Sequence, residues 1–465
     1  MSAQRLIPAM LVASLLLGAC AGLPTERGRR ALADDLSARG LALPGPAAAA
    51  AAAAEGDATN AWLDAPLSVD RAIQIALIRN PELRAASAKL GFAAADVYEA
   101  GRLANPLLSA TWLSAGDEPH AQLTLGIAVN FTDLLLLGAR GRIADAEFDS
   151  TRLALGDAAL NLAADVEAAY RRVAAAAQTA ELKATLARAA QSSATLAQRW
   201  FDAGNLKRRD LALEQAAATQ AQLDADAAAL DATLARQAFA RLLGLPSSAD
   251  WTLAETLALP PAQDEALADL QQLARDARLD VAGARRHADA VAARYGLTRR
   301  TRALGDIEIG AEREREYDGG VHGGPTVSFA LPIFDWGAGR KARGAAELQT
   351  AEAGLTAREL DADHDVAAAY ARLRSARLRS ERYRRELLPA REAAVEQAQR
   401  AFNYMLVDVF DLLAERQQGY DAYAGYLAAL GDYWVARAAL SRAVGRRLPL
   451  ADHATVAALR FDDGR

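Results

Sequence analysis

Three acidic residues, Asp306, Glu308 and Glu312, lie on one side of a predicted β-strand because they alternate with Ile307 and Ile309. The chemistry of such a group is electrostatic, since carboxylates that line a pore attract cations. If this face lined a lumen shared by several copies, the three side chains would form acidic rings. The alternative is a solvated sheet face without selectivity.

No other arrangement in the chain predicts catalysis or metal binding. The five histidines are scattered, and none pairs at the i, i+4 spacing typical of a zinc site on a helix. The sequence contains no phosphate-binding loop and no nucleophile elbow. The net charge of −6 gives no reason to expect a nucleic-acid partner. We therefore predict neither an enzyme nor a cofactor, metal or nucleic-acid site.

Cys20, the single cysteine, follows Arg5 and an apolar run over residues 6–19, a pattern typical of a secretory signal peptide. A run of about 14 residues is too short to span a bilayer comfortably. The sequence Leu-Gly-Ala-Cys ending at Cys20 resembles the lipobox of bacterial lipoproteins, which implies acylation of Cys20, for example with palmitate. The next residue, Ala21, is not the Asp that favours inner-membrane retention in that class. The alternative is an ordinary signal peptide with a chance cysteine.

The remainder of the chain is an internal duplication. The pattern Asp-Val-x-x-Ala-Tyr at residues 165–170 recurs at 365–370, and Phe, Asp-Leu and Glu within 201–214 recur within 402–415. Each copy is predicted to contain helices, two strands and a long helical hairpin. The predicted domains are a signal peptide (1–19), a flexible tether (20–66), a first repeat (67–246), a linker (247–263), a second repeat (264–449) and a C-terminal tail (450–465).

The strands are predicted at about 103–114, 121–131, 304–316 and 325–334, with Gly319, Gly320, Gly323, Gly324 and Pro325 forming the turn between the last two. Strands of this length can cross a bilayer at a tilt. Four strands cannot close a membrane barrel, and an open sheet in lipid would leave backbone groups unpaired. Several chains must therefore pool strands, unless the sheet belongs to a soluble sandwich.

The helical hairpins are predicted at about 139–243 and 337–445. Their long arms, of about 60 residues each, would reach roughly 90 Å. Helices of this length favour coiled-coil packing. Pro389 is expected to kink the second arm or to divide it in two.

With these features the chain resembles the TolC-like outer membrane efflux protein family. The resemblance covers nearly everything from Leu67 to Pro449. Its carriers are Leu-Ser-Val at 67–69, Asn-Pro-Glu-Leu at 80–83, Leu-Pro-Ile-Phe-Asp-Trp-Gly at 331–337 and Val-Asp-Val-Phe-Asp at 407–411. The implied fold is mainly α with a membrane β-barrel. It is a homotrimer whose protomers share a 12-stranded barrel and form a periplasmic α-helical barrel.

The same resemblance implies roles for the hairpin ends. It assigns Asp408 and Asp411 to the periplasmic gate, where three-fold symmetry would gather them into carboxylate rings. The residues assigned to the hairpin tips and to adaptor contact are Gly204, Asn205, Asn403 and Tyr404. Asn403 is expected to supply the second turn. The alternative for Asp408 and Asp411 is that they are helix-start carboxylates favoured by the helix dipole.

The implied function is the passive outer membrane channel of a tripartite efflux system, anchored by lipid and exporting small molecules or metal ions. Its partners would be a periplasmic adaptor protein, an inner membrane transporter of the RND type and outer membrane lipid. The alternatives are a periplasmic coiled-coil adaptor or scaffold lipoprotein, and the outer membrane component of a type I protein secretion system. Substrate choice is expected to lie mainly with the transporter.

Overall fold

The computed structural model describes residues 28–44, 62–114, 116, 120–301, 305 and 307–449. Cys20 and Asp306 lie outside the described residues.

The first repeat begins with short helices whose ends are capped by their own sequence. Helix α1 (Arg29–Ser37) precedes the repeat, within the segment predicted as a flexible tether, and its Leu36 is fully buried, so residues 29–37 are an ordered helix. Helix α2 (Val69–Arg79) opens the repeat and is capped by Ser68, whose side chain accepts a hydrogen bond from the Arg71 amide. Helix α3 (Pro81–Ala100) starts at a proline, and the Asn80 side chain caps it through the amides of Glu82 and Leu83. Asn80-Pro81 is therefore a helix boundary.

A β-hairpin and a helical hairpin complete the repeat. Strands β1 (Leu107–Leu113) and β2 (Gln122–Asn130) lead into α4 (Phe131–Asp202, 72 residues) and α5 (Arg208–Leu242). Helix α4 begins at Phe131, earlier than the predicted residue 139. The Asn130 side chain accepts a hydrogen bond from the Asp133 amide at 3.0 Å, so the helix starts directly after the strand.

The second repeat has the same order of elements. It comprises α6 (Leu267–Ala277), α7 (Leu279–Thr301), β3 (Ile307–Arg315), β4 (Val321–Phe329), α8 (Ala338–Arg382), α9 (Leu388–Asn403) and α10 (Val409–Val444). Between α8 and α9, residues Tyr383–Leu387 form a π-helical turn directly before Pro389. The irregularity expected near Pro389 is therefore present as a π-helical turn, on both sides of which Arg382 and Leu388 keep right-handed helical dihedrals.

The position of β4 differs from the prediction of 325–334. A tight turn, in which the Glu316 amide donates to the Gly320 carbonyl and the Gly320 amide to Asp318, closes the hairpin before Val321. Gly323, Gly324 and Pro325 therefore lie within β4, and their assignment to the turn is wrong. Because β4 is the last strand of the sheet, whose order is β1-β2-β3-β4, Pro325 removes no amide from an interior strand.

The described residues form two compact units. The sheet unit contains residues 28–32 and the described parts of 87–154 and 282–357, with all four antiparallel strands. The helical unit contains the described parts of 33–86, 155–281 and 358–465. No helix among the described residues is long and apolar enough to cross a membrane.

The main core of the helical unit lies around α10. Leu373 of α8 and Leu430 and Trp434 of α10 are fully or almost fully buried in it. The Trp434 indole donates to the Ala258 carbonyl at 2.7 Å, which ties the inter-repeat segment to this helix. Packing around one helix therefore holds both repeats of this unit together.

A half-buried ion pair supports the same core. Arg377 donates two hydrogen bonds to Asp264, at 2.5 and 2.7 Å, and the Tyr433 hydroxyl donates to the same carboxylate at 2.9 Å. Burial, reinforced by the negative charge of Asp264, raises the pKa of Tyr433 above its usual value. The tyrosine is consequently a neutral hydrogen-bond donor at physiological pH.

Candidate functional site

The turn between α4 and α5, at the end of the first helical hairpin, is closed by a glycine. Gly204 has φ +77°, and the Asn205 amide donates to the Trp200 carbonyl at 2.8 Å. The Gly204 amide donates to the Phe201 carbonyl, also at 2.8 Å. This pair of bonds is the Schellman arrangement, which requires a left-handed residue directly after the helix.

The second hairpin repeats this geometry without a glycine. The Leu406 amide donates to the Ala401 carbonyl and the Met405 amide to the Phe402 carbonyl, both at 2.9 Å. The left-handed residue is Met405, with φ +62°, whereas Asn403 is the last residue of α9. The expectation that Asn403 supplies the turn is therefore wrong. A side chain in this conformation costs about 1–2 kcal/mol relative to the right-handed one.

Asp408 and Asp411 form a capping box at the start of α10. One oxygen of Asp408 accepts from the amides of Phe410 and Asp411, at 2.8 and 2.9 Å. The Asp411 carboxylate accepts from the Asp408 amide at 3.3 Å. The alternative role considered for these residues, as helix-start carboxylates, is therefore realised in the structure. Both remain solvent-exposed and retain free carboxylate oxygens for other contacts.

The ends of the two hairpins contact each other through aromatic rings. Trp200 of α4 packs edge-to-face on Phe410 of α10, with ring centroids 5.4 Å apart. Beside this pair is a cavity of about 210 Å³ whose wall includes Ser193 and Glu214, which hydrogen-bond to each other at 2.5 Å. Sequence reasoning missed Trp200, because nothing local in the sequence indicates its partner.

The two tips present different surfaces. In the second hairpin, Tyr404, Met405 and Leu406 are 79%, 93% and 76% exposed. In the first, the exposed Gly204 and Asn205 are followed by Lys207, Arg208 and Arg209. One tip is therefore apolar and the other basic.

The sheet has one apolar and one polar face. Directly paired residues share a face, and Glu312 is paired with Gly126 and Gly324, while Glu308 is paired with Asn130 and Ser328. The Ser328 hydroxyl donates to Glu308 at 3.3 Å. The structure therefore brings Glu308 and Glu312 together on the polar face.

Glu314 is a further carboxylate of this face that sequence reasoning missed. It lies two residues beyond Glu312 in β3 and accepts a hydrogen bond from the Gln122 side chain. The alternation that identified Glu312 extends to this position and could have included it. Within the described residues, no group of three or more His, Cys, Asp or Glu is placed to hold a metal ion.

Comparison with known proteins gives one sequence relative and several similar structures, while no family model matches the chain. The chain is 29% identical to protein CyaE of Bordetella pertussis over 341 residues, which is 67% of this chain and 70% of CyaE. A crystal structure of a membrane protein from Pseudomonas aeruginosa matches with a TM-score of 0.68 and 20% identity, covering 83% of this chain and 94% of that one. The open state of the MtrE outer membrane channel of Neisseria gonorrhoeae matches with a TM-score of 0.66 and 19% identity, covering 81% and 89%.

Proposed function

We propose that this chain, which has the fold of the TolC-like outer membrane channels, is the outer membrane channel of a tripartite efflux system. It provides a passive exit duct for small molecules or metal ions and catalyses no reaction. Its location is the outer membrane, with the helical hairpins in the periplasm.

The observation that carries the proposal is the uncovered apolar face of the sheet. Leu108, Trp112, Val327 and Phe329 are all more than half exposed on it. Such a contiguous apolar surface marks a membrane or protein contact. Within the described residues β1 and β4 each have one unpaired edge, and a sheet in lipid must close on itself. Three copies would supply twelve strands, an even number above the minimum of about eight.

The polar face of the sheet then lines the lumen of the barrel. Glu308, Glu312 and Asp306, the last outside the described residues, would each occur three times around the channel. Glu314 adds a further ring on the same face. Rings of carboxylates favour cations over anions.

The hairpin tips form the periplasmic end of the duct. Asp408 and Asp411 at the start of α10 are proposed as gate carboxylates, and their capping box holds them at one defined position. Gly204, Asn205, Asn403 and Tyr404 are proposed to contact a periplasmic adaptor protein. That adaptor would connect the channel to an inner membrane transporter of the RND type.

Cys20 is proposed to carry the lipid anchor. The support comes from the sequence, in which a short apolar segment and Leu-Gly-Ala precede the cysteine. Acylation at this position would add a second attachment to the outer membrane beside the barrel.

Light scattering and planar-bilayer conductance on the detergent-purified protein test the proposal. We expect a particle that needs detergent, contains three chains after correction for bound detergent, and conducts ions as discrete steps. A water-soluble monomer after removal of the anchor, or a trimer without conductance, would contradict the channel function.

A deletion strain separates efflux from protein secretion. We expect the deletion strain to be more sensitive to toxic small molecules or metal ions than the parent strain, while its set of secreted proteins is unchanged. Restoring the gene should restore the parent's resistance. Loss of one secreted protein with unchanged sensitivity would favour a type I secretion duct instead.

A further inference from the structure

Two arginines interrupt the apolar face of the sheet at one end. Arg313 is paired with Leu125 and Gly323, and Arg315 is paired with Leu123 and Val321. Because directly paired residues share a face, both guanidinium groups belong to the apolar face and not to the glutamate face. The same face is apolar along the rest of β3, at Ile307, Ile309 and Ala311.

Neither arginine is neutralised by a partner among the residues that the structure describes. No carboxylate there lies within 4.0 Å of either guanidinium, although Glu312 and Glu314 of β3 and Glu316 directly after it are close by in sequence. The Nε atom of Arg315 is buried and has no hydrogen-bond acceptor within the described part of the chain. Arg313 is solvent-exposed, and its β4 neighbour Gly323 has no side chain to cover it. Two cationic groups with unused donors therefore lie on an otherwise apolar surface.

The position of the pair along the strands is at the hairpin end of the sheet. Helix α3 precedes β1 and β2 runs directly into α4, so the helices join the sheet at the end opposite to the β3–β4 turn. Arg315 is the last residue of β3 before that turn. Trp112 lies in the same row of the apolar face, because it is paired with Leu123, the partner of Arg315. From Ile307 to Arg315 the strand rises roughly 27 Å.

This placement matches the edge of a lipid-facing band. Arginine on a lipid-facing strand is costly at the bilayer midplane and nearly free near the headgroups. Tryptophan is likewise enriched at that level. If the helices lie in the periplasm, the hairpin end faces outward and the pair lies at the outer leaflet.

We propose that Arg313 and Arg315 bind the phosphate groups of the phosphorylated glycolipid that forms the outer leaflet of a bacterial outer membrane. This inference rests on the proposed function, because it needs the apolar face to meet lipid. Arginine forms bidentate, charge-assisted hydrogen bonds with phosphate oxygens, which the exposed Arg313 guanidinium and the terminal nitrogens of Arg315 would donate. Arginines at positions i and i+2 of one strand are roughly 7 Å apart along it, so they can contact two phosphates of one headgroup.

Native mass spectrometry of the delipidated, detergent-purified protein tests the proposal. The probes are diphosphoryl lipid A, dephosphorylated lipid A and phosphatidylglycerol, each titrated separately. The variant R313Q/R315Q should bind diphosphoryl lipid A at least ~10-fold more weakly than the unmodified protein, as expected for the loss of charge-assisted hydrogen bonds. The matched control is R372Q/R374Q, which removes two exposed arginines at the same spacing from α8 and should bind as the unmodified protein does.

Three results would overturn the inference. The first is equal binding of diphosphoryl lipid A by R313Q/R315Q and by the control. The second is equal binding of dephosphorylated and diphosphoryl lipid A by the unmodified protein. The third is that the unmodified protein binds phosphatidylglycerol as tightly as diphosphoryl lipid A. Conductance of the same samples keeps this test separate from the proposed function. Intact conductance with failed lipid selectivity refutes the lipid site alone, whereas absence of conductance in the unmodified protein refutes the channel.

Discussion

At the residue scale, the two hairpin turns use the same backbone hydrogen bonds with different residues. Gly204 adopts the left-handed conformation without strain, whereas Met405 adopts it at a steric cost. Met405 is also 93% exposed, so packing within the described chain does not offset that cost. A strained, exposed apolar residue at a tip suggests selection for contact with a partner over stability of the turn.

Replacing Met405 by glycine should therefore stabilise the second tip. Glycine removes the steric cost of the left-handed conformation in the folded state, which is about 1–2 kcal/mol. It also stabilises the unfolded chain through its greater conformational freedom, but only by roughly 0.4–1 kcal/mol. Hydrogen–deuterium exchange of peptides covering residues 400–408 should slow in M405G, because the Leu406 amide bonds to the Ala401 carbonyl more often. G204A is the reverse substitution in the first hairpin. The amides of the turn between α4 and α5 should exchange faster in this variant, because alanine is strained in the left-handed conformation of Gly204. Faster exchange in M405G would show that the methionine side chain stabilises the turn.

The two roles of Asp408, capping and gating, can be separated by paired substitutions. Asparagine is as good an N-cap as aspartate, so D408N should keep the unfolding temperature while it lowers cation selectivity of the channel. D408A should lose selectivity and, in addition, about 1 kcal/mol of helix stability. Reversal potentials in a salt gradient and thermal unfolding measure the two effects.

The control for the gate is Asp210, which lies in the first turn of α5 and matches Asp411 in the duplication. D210N removes the same charge from the other hairpin and should leave selectivity nearly unchanged. Unaltered selectivity in D408N would leave Asp408 with the capping role alone.

At the element scale, the π-helical turn in the second long arm contacts helix α10. Tyr383 opens the π-helical turn, and a Cβ atom added to Gly425 of α10 would lie 2.6 Å from its hydroxyl oxygen and 2.8 Å from two ring carbons. The close approach of these helices therefore depends on a glycine opposite a tyrosine. This contact explains why α10 tolerates a residue of poor helix propensity in its interior.

The variant G425A should destabilise the protein by about 1–3 kcal/mol, because the added methyl overlaps a packed ring. G419A, six residues earlier in the same helix, is the matched control. Its added Cβ would meet Val395 at 3.6 Å, an ordinary contact, so the higher helix propensity of alanine should leave it neutral or slightly more stable. Thermal unfolding monitored by circular dichroism measures the stability of both variants. Equal unfolding midpoints for G425A and G419A would show that Tyr383 moves aside freely.

At the scale of the whole molecule, the fold expected from the resemblance to the TolC-like family is confirmed. In the proposed channel two kinds of attachment are separate: the sheet would enter lipid through its apolar face, and an acyl chain would anchor the N-terminus. These attachments are independent, since Cys20 is far in sequence from every strand.

The substitution C20S should remove the acyl chain without removing the channel. Mass spectrometry of the mature N-terminal peptide should find a lipid mass in the unmodified protein and none in C20S. Trimer mass and conductance in detergent should be equal in the two. An unacylated N-terminus in the unmodified protein would show that the segment before Cys20 is an ordinary signal peptide.

The sequence by itself determined the features that depend on neighbours along the chain. The alternation that identified β3, the position of β2 near residues 121–131 and the irregularity near Pro389 follow from local geometry and were predicted from it. The duplication was visible for the same reason, since equal local patterns produce equal elements.

Only the tertiary structure decided the features that depend on residues far apart. The Trp200–Phe410 contact and the Gly425–Tyr383 approach each join segments separated by tens to hundreds of residues. The early start of β4 belongs here as well, because the pairing of β4 with β3 up to Arg315 and Val321 overrides the local turn preference of Gly323, Gly324 and Pro325. Local preferences are worth about 1 kcal/mol each, and the packing and pairing of whole elements outweigh them.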